Sequence, residues 1–341
     1  MEKKTVDIII PTYKPTERFI KLIDMLESQS YEVNHIYIVN TQEEYYNSLF
    51  YGRKLESRYD NISVKHISKM EFDHGGTRRE AAARSDADIM VCMTDDALPY
   101  DNKLIEELIK PILDGKASIS YARQLPNADC KYIEKYTRVY NYPSESMIKS
   151  KEDVERLGIK TIFCSNVCAA YDKKVYLEVG GFEPLTLFNE DSILAAKAIT
   201  AGYKVAYAAD AKVYHSHNLS NIQQLRRNFD NGVSHKEFGE IFDSVPPMGE
   251  GKKLVKSTMK YLWSNGKGYL IPSLIITSGF KYIGYKLGRN YRLLPYSLVT
   301  KITGNKEYWL KKNINTATVN IDPYSGYGMS EDERKDDYYH G

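Results

Sequence analysis

Residues 89–100 read IMVCMTDDALPY. The five apolar side chains from Ile89 to Met93 predict a strand covered on both faces, and Pro99 bars a further central strand after it. Two adjacent carboxylates, Asp95 and Asp96, therefore stand where a core strand leaves its sheet. In open α/β sheets ligands bind outside the carboxyl ends of the strands, and oxygen donors placed there suit a divalent cation that grips a phosphate. An Asx turn capping the next helix accounts for the same two residues.

Upstream, residues 6–10 (VDIII) predict a first strand, closed by Pro11-Thr12-Tyr13-Lys14-Pro15. Thr16 reads as the N-cap of a helix carrying Phe19, Ile20, Ile23 and Leu26. Strands are expected at 35–39, ending at Asn40-Thr41, and at 62–67, with a helix over 43–58 between them. A polar loop, Glu71-Phe72-Asp73-His74-Gly75-Gly76, opens a helix over 77–84. Downstream the pattern predicts a helix at 101–112 and a strand at 117–121. Helices follow within 127–157, then a short strand at 163–171 with Ser165-Asn166 in its middle. A helix from Asp172 stops at Gly180-Gly181, and another covers 192–201. Separate strands at 204–208 and 212–215 lead to a helix at 221–238. Strands alternating with helices at this spacing imply βαβ units and a mostly parallel sheet. The first turn lacks GxGxxG, which disfavours a dinucleotide-binding domain.

The 341 residues suffice for a large domain with an appendage. A hydrophobic share of 42% and a net charge of +2 describe an ordinary soluble chain, with no charge argument for nucleic acid. The four cysteines form no CxxC pair and fit no common zinc spacing, so reduced thiols are expected. The N-terminal apolar run is too short for a signal peptide core, and no run of about 18 apolar residues predicts a spanning helix. The expected location is cytoplasmic.

Val245-Pro246-Pro247-Met248-Gly249 marks a boundary. Between residues 251 and 312 stand thirteen Lys or Arg against one acid, Glu307, interleaved with Trp263, Tyr269, Tyr282 and other apolar residues. The expected division is an α/β domain at 1–245, a basic, Tyr-rich helical region at 246–325 and a disordered charged tail at 326–341. Lys, Arg, Trp and Tyr on helices suit the plane of an anionic membrane; packing on the main domain and a homodimer interface are the competing uses.

Taken together, PTYKP after strand one, TDDA after a mid-domain strand, GGFEP ahead of NED, and a late YHSHNLS resemble glycosyltransferase family 2, the inverting sugar-nucleotide enzymes of the GT-A fold. FDHGGTRREAA and YHSHNLS resemble most the members that use dTDP-L-rhamnose. The resemblance spans roughly residues 5 to 240. It implies nucleotide or donor contacts at Pro11, Thr12, Tyr13, Asn40, Asp73, Gly76, Arg78 and Asp95. The two loop glycines would let backbone N–H groups approach a phosphate, and Arg78 or Arg79 would pair with the diphosphate. Thr94 replaces the first acid of the family's DxD, which leaves Asp96 as the ligand of a divalent Mn or Mg ion. His215 or His217 is the expected second ligand, and only one of them if the segment is extended, since alternate residues then face opposite ways. Asp191 matches the catalytic base, Glu190 supports it, and Asn166 lies on the acceptor side. The implied partners are a nucleotide-sugar donor, a lipid-linked saccharide acceptor and the inner face of the cell membrane. A UDP-hexose donor, and a non-catalytic binding module on the same fold, are the alternatives.

Overall fold

The computed structural model describes residues 3–51, 55–246 and 249–316. The expected tail at 326–341 and the end of the helical region at 317–325 lie outside them.

The chain begins with β1 (Val6–Tyr13), α1 (Glu17–Glu27), β2 (His35–Thr41), α2 (Glu43–Phe50) and β3 (Ile62–Ile67), followed by α3 (His74–Arg84) and β4 (Ile89–Met93). Then come β5 (Leu98–Pro99), α4 (Leu104–Leu113), β6 (Ile119–Leu125), α5 (Tyr132–Asn141), β7 (Met147–Lys149), α6 (Val154–Leu157) and β8 (Cys168–Asp172). The remainder is α7 (Lys173–Glu178), α8 (Glu190–Thr200), β9 (Val205–Tyr214), α9 (Asn221–Glu237), α10 (Gly239–Phe242), α11 (Glu250–Ser264), α12 (Ile271–Arg289), α13 (Tyr296–Ile302) and α14 (Lys306–Thr316).

One sheet runs β3-β2-β1-β4-β8-β6-β9-β5, and β7 also pairs with β9. Its first four strands are parallel, as βαβ units require. Beyond β4 the sheet is mixed, because β8 pairs antiparallel with both β4 and β6. The apolar runs are explained by burial on two sides. Ile8, Ile10, Val91 and Met93 enter one core with α1 and α4, while Ile9, Met90 and Cys92 enter another with α3 and α8. Pro99 sits in a two-residue edge strand, where its missing N–H costs nothing.

Several boundaries differ from the sequence expectations. Ser165 and Asn166 precede β8 rather than lying inside it, which frees the Asn166 N–H for a side-chain partner. The two strands expected near 204–215 are one, β9, with an irregularity opposite Ala122 and Arg123 that takes up the extra residues. The helix expected at Thr77 starts at His74, because the Asp73 carboxylate caps it by accepting from Gly76 N–H at 2.6 Å.

The C-terminal helices pack on the rest through α9. Added Cβ atoms at Gly284 and Gly288 would stand 2.2 Å from the Leu225 carbonyl oxygen and 2.0 Å from that of Phe229. Only glycine lets the α9 and α12 backbones approach this closely. Leu187, Phe229 and Val233 share a core with Tyr291, Val299, Tyr308 and Trp309. The buried Asp230 carboxylate accepts from Thr303 Oγ1 at 2.7 Å and Gly304 N–H at 2.9 Å, and Lys311 Nζ donates to the Phe72 carbonyl at 2.7 Å.

Candidate active site

The site is built at the carboxyl ends of β1, β4 and β9. Leaving β4, the chain turns through Thr94–Ala97, with Ala97 N–H donating to the Thr94 carbonyl at 3.3 Å. Neither carboxylate caps α4; that helix is approached through Asp101, which accepts from Lys103 N–H at 2.9 Å. Asp95 turns back toward β1 and accepts from Thr12 Oγ1 at 2.6 Å. Burial, and after it the neighbouring Asp96 charge, push the Asp95 carboxyl up to about 7. Asp96 accepts from Thr94 Oγ1 at 2.9 Å, so Thr94 orients the carboxylate that faces the histidines. Burial alone would raise the Asp96 pKa, but His215, His217, Thr94 and Arg18 more than offset it and hold it below the usual range. Arg18 also fixes the backbone: its Nε donates to the Asp96 carbonyl at 2.7 Å, and its Nη2 to Asn127 Oδ1 at 2.9 Å and the Tyr214 carbonyl at 3.1 Å.

Both histidines reach Asp96. His215 Nε2 is 3.5 Å from Asp96 Oδ1 and His217 Nε2 is 3.5 Å from Asp96 Oδ2. The two Nε2 atoms are 3.0 Å apart. The alternation rule, which allowed only one of them, does not apply because β9 ends at Tyr214 and the pair lies beyond the strand. Burial first, with cationic neighbours, lowers both imidazole pKa values, so the rings are neutral near pH 7 and keep a lone pair each. One carboxylate and two neutral imidazoles, with ligating atoms within 4.8 Å of one another, fit a divalent cation. Two nitrogen donors beside one carboxylate depart from the all-oxygen surroundings that magnesium favours.

The second half of the site starts α8. Asn189 takes a left-handed conformation, φ 66°, and its side chain bonds Asn231 rather than capping the helix. Asp191 Oδ2 accepts from Asn166 N–H at 2.9 Å, and Oδ1 from its own neighbour Ser192 N–H at 2.7 Å. Burial, then the Glu190 charge, push the Asp191 carboxyl up to about 7. Glu190 lies beneath it, buried, paired with Arg78 at 3.2 Å and accepting from Asn166 Nδ2 at 3.0 Å. The Asn166 amide is oriented in turn by Tyr171 Oη, which donates to its Oδ1 at 2.7 Å. Asn166 thus touches both Glu190 and Asp191, a juxtaposition that no local spacing announces.

The other residues expected at the donor are engaged by protein partners. Arg78 is 2% exposed and turned inward to Glu190 and the His74 carbonyl. Arg79 donates to the Gly180 and Phe182 carbonyls at 2.7 and 2.8 Å. Asp73 and Gly76 bond each other at the α3 cap, and Gly75 is glycine because a Cβ would stand 1.8 Å from the Glu183 carbonyl oxygen. The loop glycines are therefore explained by packing and capping. Pro11 is a ladder residue opposite Val39. Tyr13 is a buried ring, edge-on to Tyr45 at 5.6 Å, with the Lys14 and Lys69 ammonium groups each 5.0 Å from its centre. Asn40 is fully buried, its Nδ2 directed at the Gln42 carbonyl and His66 Nδ1. Arg18 and Gln124, both bonded into the site, carry no motif that would single them out.

Residues 7–180 match the profile of Glycosyl transferase family 2. This span includes Asp95, Asp96 and Asn166 and stops short of Asp191 and the histidines. The chain is 36% identical to the O-antigen chain rhamnosyltransferase RfbN of Salmonella typhimurium over 89% of its own length and 96% of that protein. It is equally similar, at 36% over 89% and 95%, to the O-antigen chain rhamnosyltransferase WbaN of Salmonella anatum. Among solved structures, the mannosyltransferase PcManGT of Pyrobaculum calidifontis, in complex with GDP-Man and Mn2+, superposes with a TM-score of 0.53 at 14% identity, covering 93% of this chain and 88% of that one. That likeness shows the GT-A type of fold. With a matched profile over half its length and such relatives along 89% of it, the chain belongs to glycosyl transferase family 2.

Proposed function

We propose that the protein transfers L-rhamnose from dTDP-β-L-rhamnose, with inversion, to a hydroxyl of a lipid-linked saccharide during synthesis of a cell-surface polysaccharide. The observation that carries this reading is the 36% identity to two O-antigen chain rhamnosyltransferases along nearly the whole chain. Asp96, His215 and His217 would hold a divalent cation, which when bound supplies positive charge for a departing diphosphate. Asp191 takes the proton of the acceptor hydroxyl as that oxygen bonds to the anomeric carbon and the bond to the diphosphate oxygen breaks. A single displacement inverts the centre. Glu190, held ionised by Arg78, keeps a negative charge beside Asp191 and so supports its basicity. A nucleotide panel read by thermal shift with Mn2+ present tests the donor. We expect dTDP and dTDP-rhamnose to raise the melting temperature and UDP to leave it unchanged; stabilisation by UDP alone would replace rhamnose with a UDP-hexose.

No helix among the described residues is long and apolar enough to cross a membrane. On α12, Ile275, Ile276, Tyr282 and Ile283 are exposed at helical spacing, on the side away from Gly284 and Gly288, and Trp263 on α11 is 76% exposed. With the cationic surplus of residues 251–312, this stripe fits the inner face of an anionic membrane, where a lipid-linked acceptor resides. Cosedimentation with anionic vesicles is expected, weakening as salt rises and lost in the double variant Ile276→Asp, Ile283→Asp. Binding that survives the double variant counts against the stripe. A lipid-independent dimer dissolved by the same changes would assign it to a homodimer interface.

A further inference from the structure

Between the two halves of the site lies a buried amide that neither half accounts for. Gln124, near the end of β6, is 3% exposed. Its neighbours in the sheet register place it beside the close of β9: Gln124 pairs with Val213, and His215 N–H donates to the Leu125 carbonyl at 2.9 Å. Three side chains converge on the amide. Arg138 of α5 donates to Oε1 through Nη1, His215 Nδ1 stands 2.9 Å from the same oxygen, and Nε2 donates to Ser165 Oγ at 3.0 Å.

These contacts determine where the protons are. A guanidinium only donates, so the amide oxygen must lie on the Arg138 side and the amide nitrogen on the Ser165 side. The amide oxygen bears no hydrogen, so a bond between it and His215 Nδ1 requires that Nδ1 carry the proton. In a neutral imidazole the other nitrogen then holds the lone pair. That nitrogen, Nε2, is the one directed at Asp96 and His217. By contrast, among the described residues the other ring nitrogen of His217 has no hydrogen-bond partner, so nothing imposes a tautomer on it. The two Nε2 atoms stand 3.0 Å apart, close enough for both to face one cation.

We infer that Gln124 is a positioning residue that fixes His215 in its metal-binding tautomer and ties this ligand to the loop that holds Asp191. The link is covalently short on the second side, since Ser165 is followed by Asn166, whose N–H and side chain hold Asp191 and Glu190. The inference rests on the metal reading above and adds to it a residue outside the ligand set.

The test is calorimetric titration of the full-length protein with Mn2+, wild type beside Gln124→Leu and Gln124→Glu, with melting curves to establish folding. Partners behind a metal-bound histidine are typically worth about 10–100-fold in affinity. Gln124→Leu should therefore bind Mn2+ weaker by about that factor. Gln124→Glu, which keeps an acceptor oxygen for Nδ1 and for Arg138, should bind as tightly as wild type or tighter. Unchanged affinity in folded Gln124→Leu overturns the inference, and equal loss in both variants reduces Gln124 to a packing residue. If Gln124→Leu does not fold, Arg138→Met takes its place: no residue of α5 is fully buried, and this change removes the donor that orients the amide. It should weaken Mn2+ binding several-fold, and wild-type affinity there overturns the inference equally. A wild type that takes up no Mn2+ at all overturns the metal reading itself, and this inference with it, whereas a tight wild type with an equally tight Leu variant leaves the metal reading standing.

Discussion

Asp191→Asn is expected to lower the rate of sugar transfer by about 100- to 10,000-fold, the usual contribution of a positioned general base. Donor and Mn2+ binding should change little, because Asp191 is held by Asn166 and Ser192 and shares no bond with Asp96 or either histidine. Asparagine keeps the shape but removes the proton acceptor, and it points an NH2 group at one of two backbone N–H donors. The wild-type pH profile carries a second signature. As the proposed base Asp191 must act ionised, and its carboxyl is pushed up to about 7 by burial and by Glu190. Transfer should therefore climb with pH through about 7 and level off above it, falling near tenfold per unit on the acid side. Glu190→Gln removes the neighbouring charge and should move this midpoint downward. The measurement is transfer at saturating donor, with the acceptor in excess, from about pH 5 to 9. Full activity in Asp191→Asn, or a wild-type profile flat across the acid limb, would remove Asp191 from the mechanism.

The second large effect is expected at Asp96. Without it, two neutral imidazoles remain, and the charge that opposes the cation's own is gone. Asp96→Ala should weaken Mn2+ binding by more than about 100-fold, above what outer-shell partners alone contribute, and transfer should fall with it. Excess Mn2+ should restore little. Asp95→Asn is the internal control. Its oxygen bonds Thr12 and lies away from the histidines, so metal affinity should stay within a few-fold of wild type. Calorimetry on the two variants side by side decides the matter: equal losses would mean that the adjacent acids act as one site, against the asymmetry seen here. Stripping wild type with a chelator should reproduce the Asp96→Ala loss and be reversed by Mn2+.

The scaffold was legible because its strands are covered on both faces. Runs such as Ile89–Met93 are continuous, and their ends fall where Thr12, Asp95 and Asp96 project. The later half of the sheet was not, since an antiparallel insertion of β8 between β4 and β6 leaves no local mark. Within the site, residue types were readable and partners were not. Arg78 is a charged helix residue in sequence, and nothing nearby shows that Glu190, far along the chain, will bury it. The histidine pair failed an alternation argument because that argument assumes a strand, and β9 ends one residue earlier. Gln124 is an ordinary strand residue until the fold sets Arg138, Ser165 and His215 around it.

The glycine contacts between α9 and α12 have one more consequence. The helix that bears the outward apolar stripe meets, backbone to backbone, the helix that opens just past His217. Side-chain bonds flank this contact, from Thr277 to Asn221, from Tyr285 to His235 and from Arg289 to the His235 carbonyl, and they oppose a sliding or rolling motion. When α12 rests on a surface, the stand-off and tilt of the catalytic cleft above that surface are set together. On the proposed membrane reading the chain would work as a ruler: a saccharide tethered in the same surface would reach Asp191 only when its anchored length matches the height at which the cleft is carried.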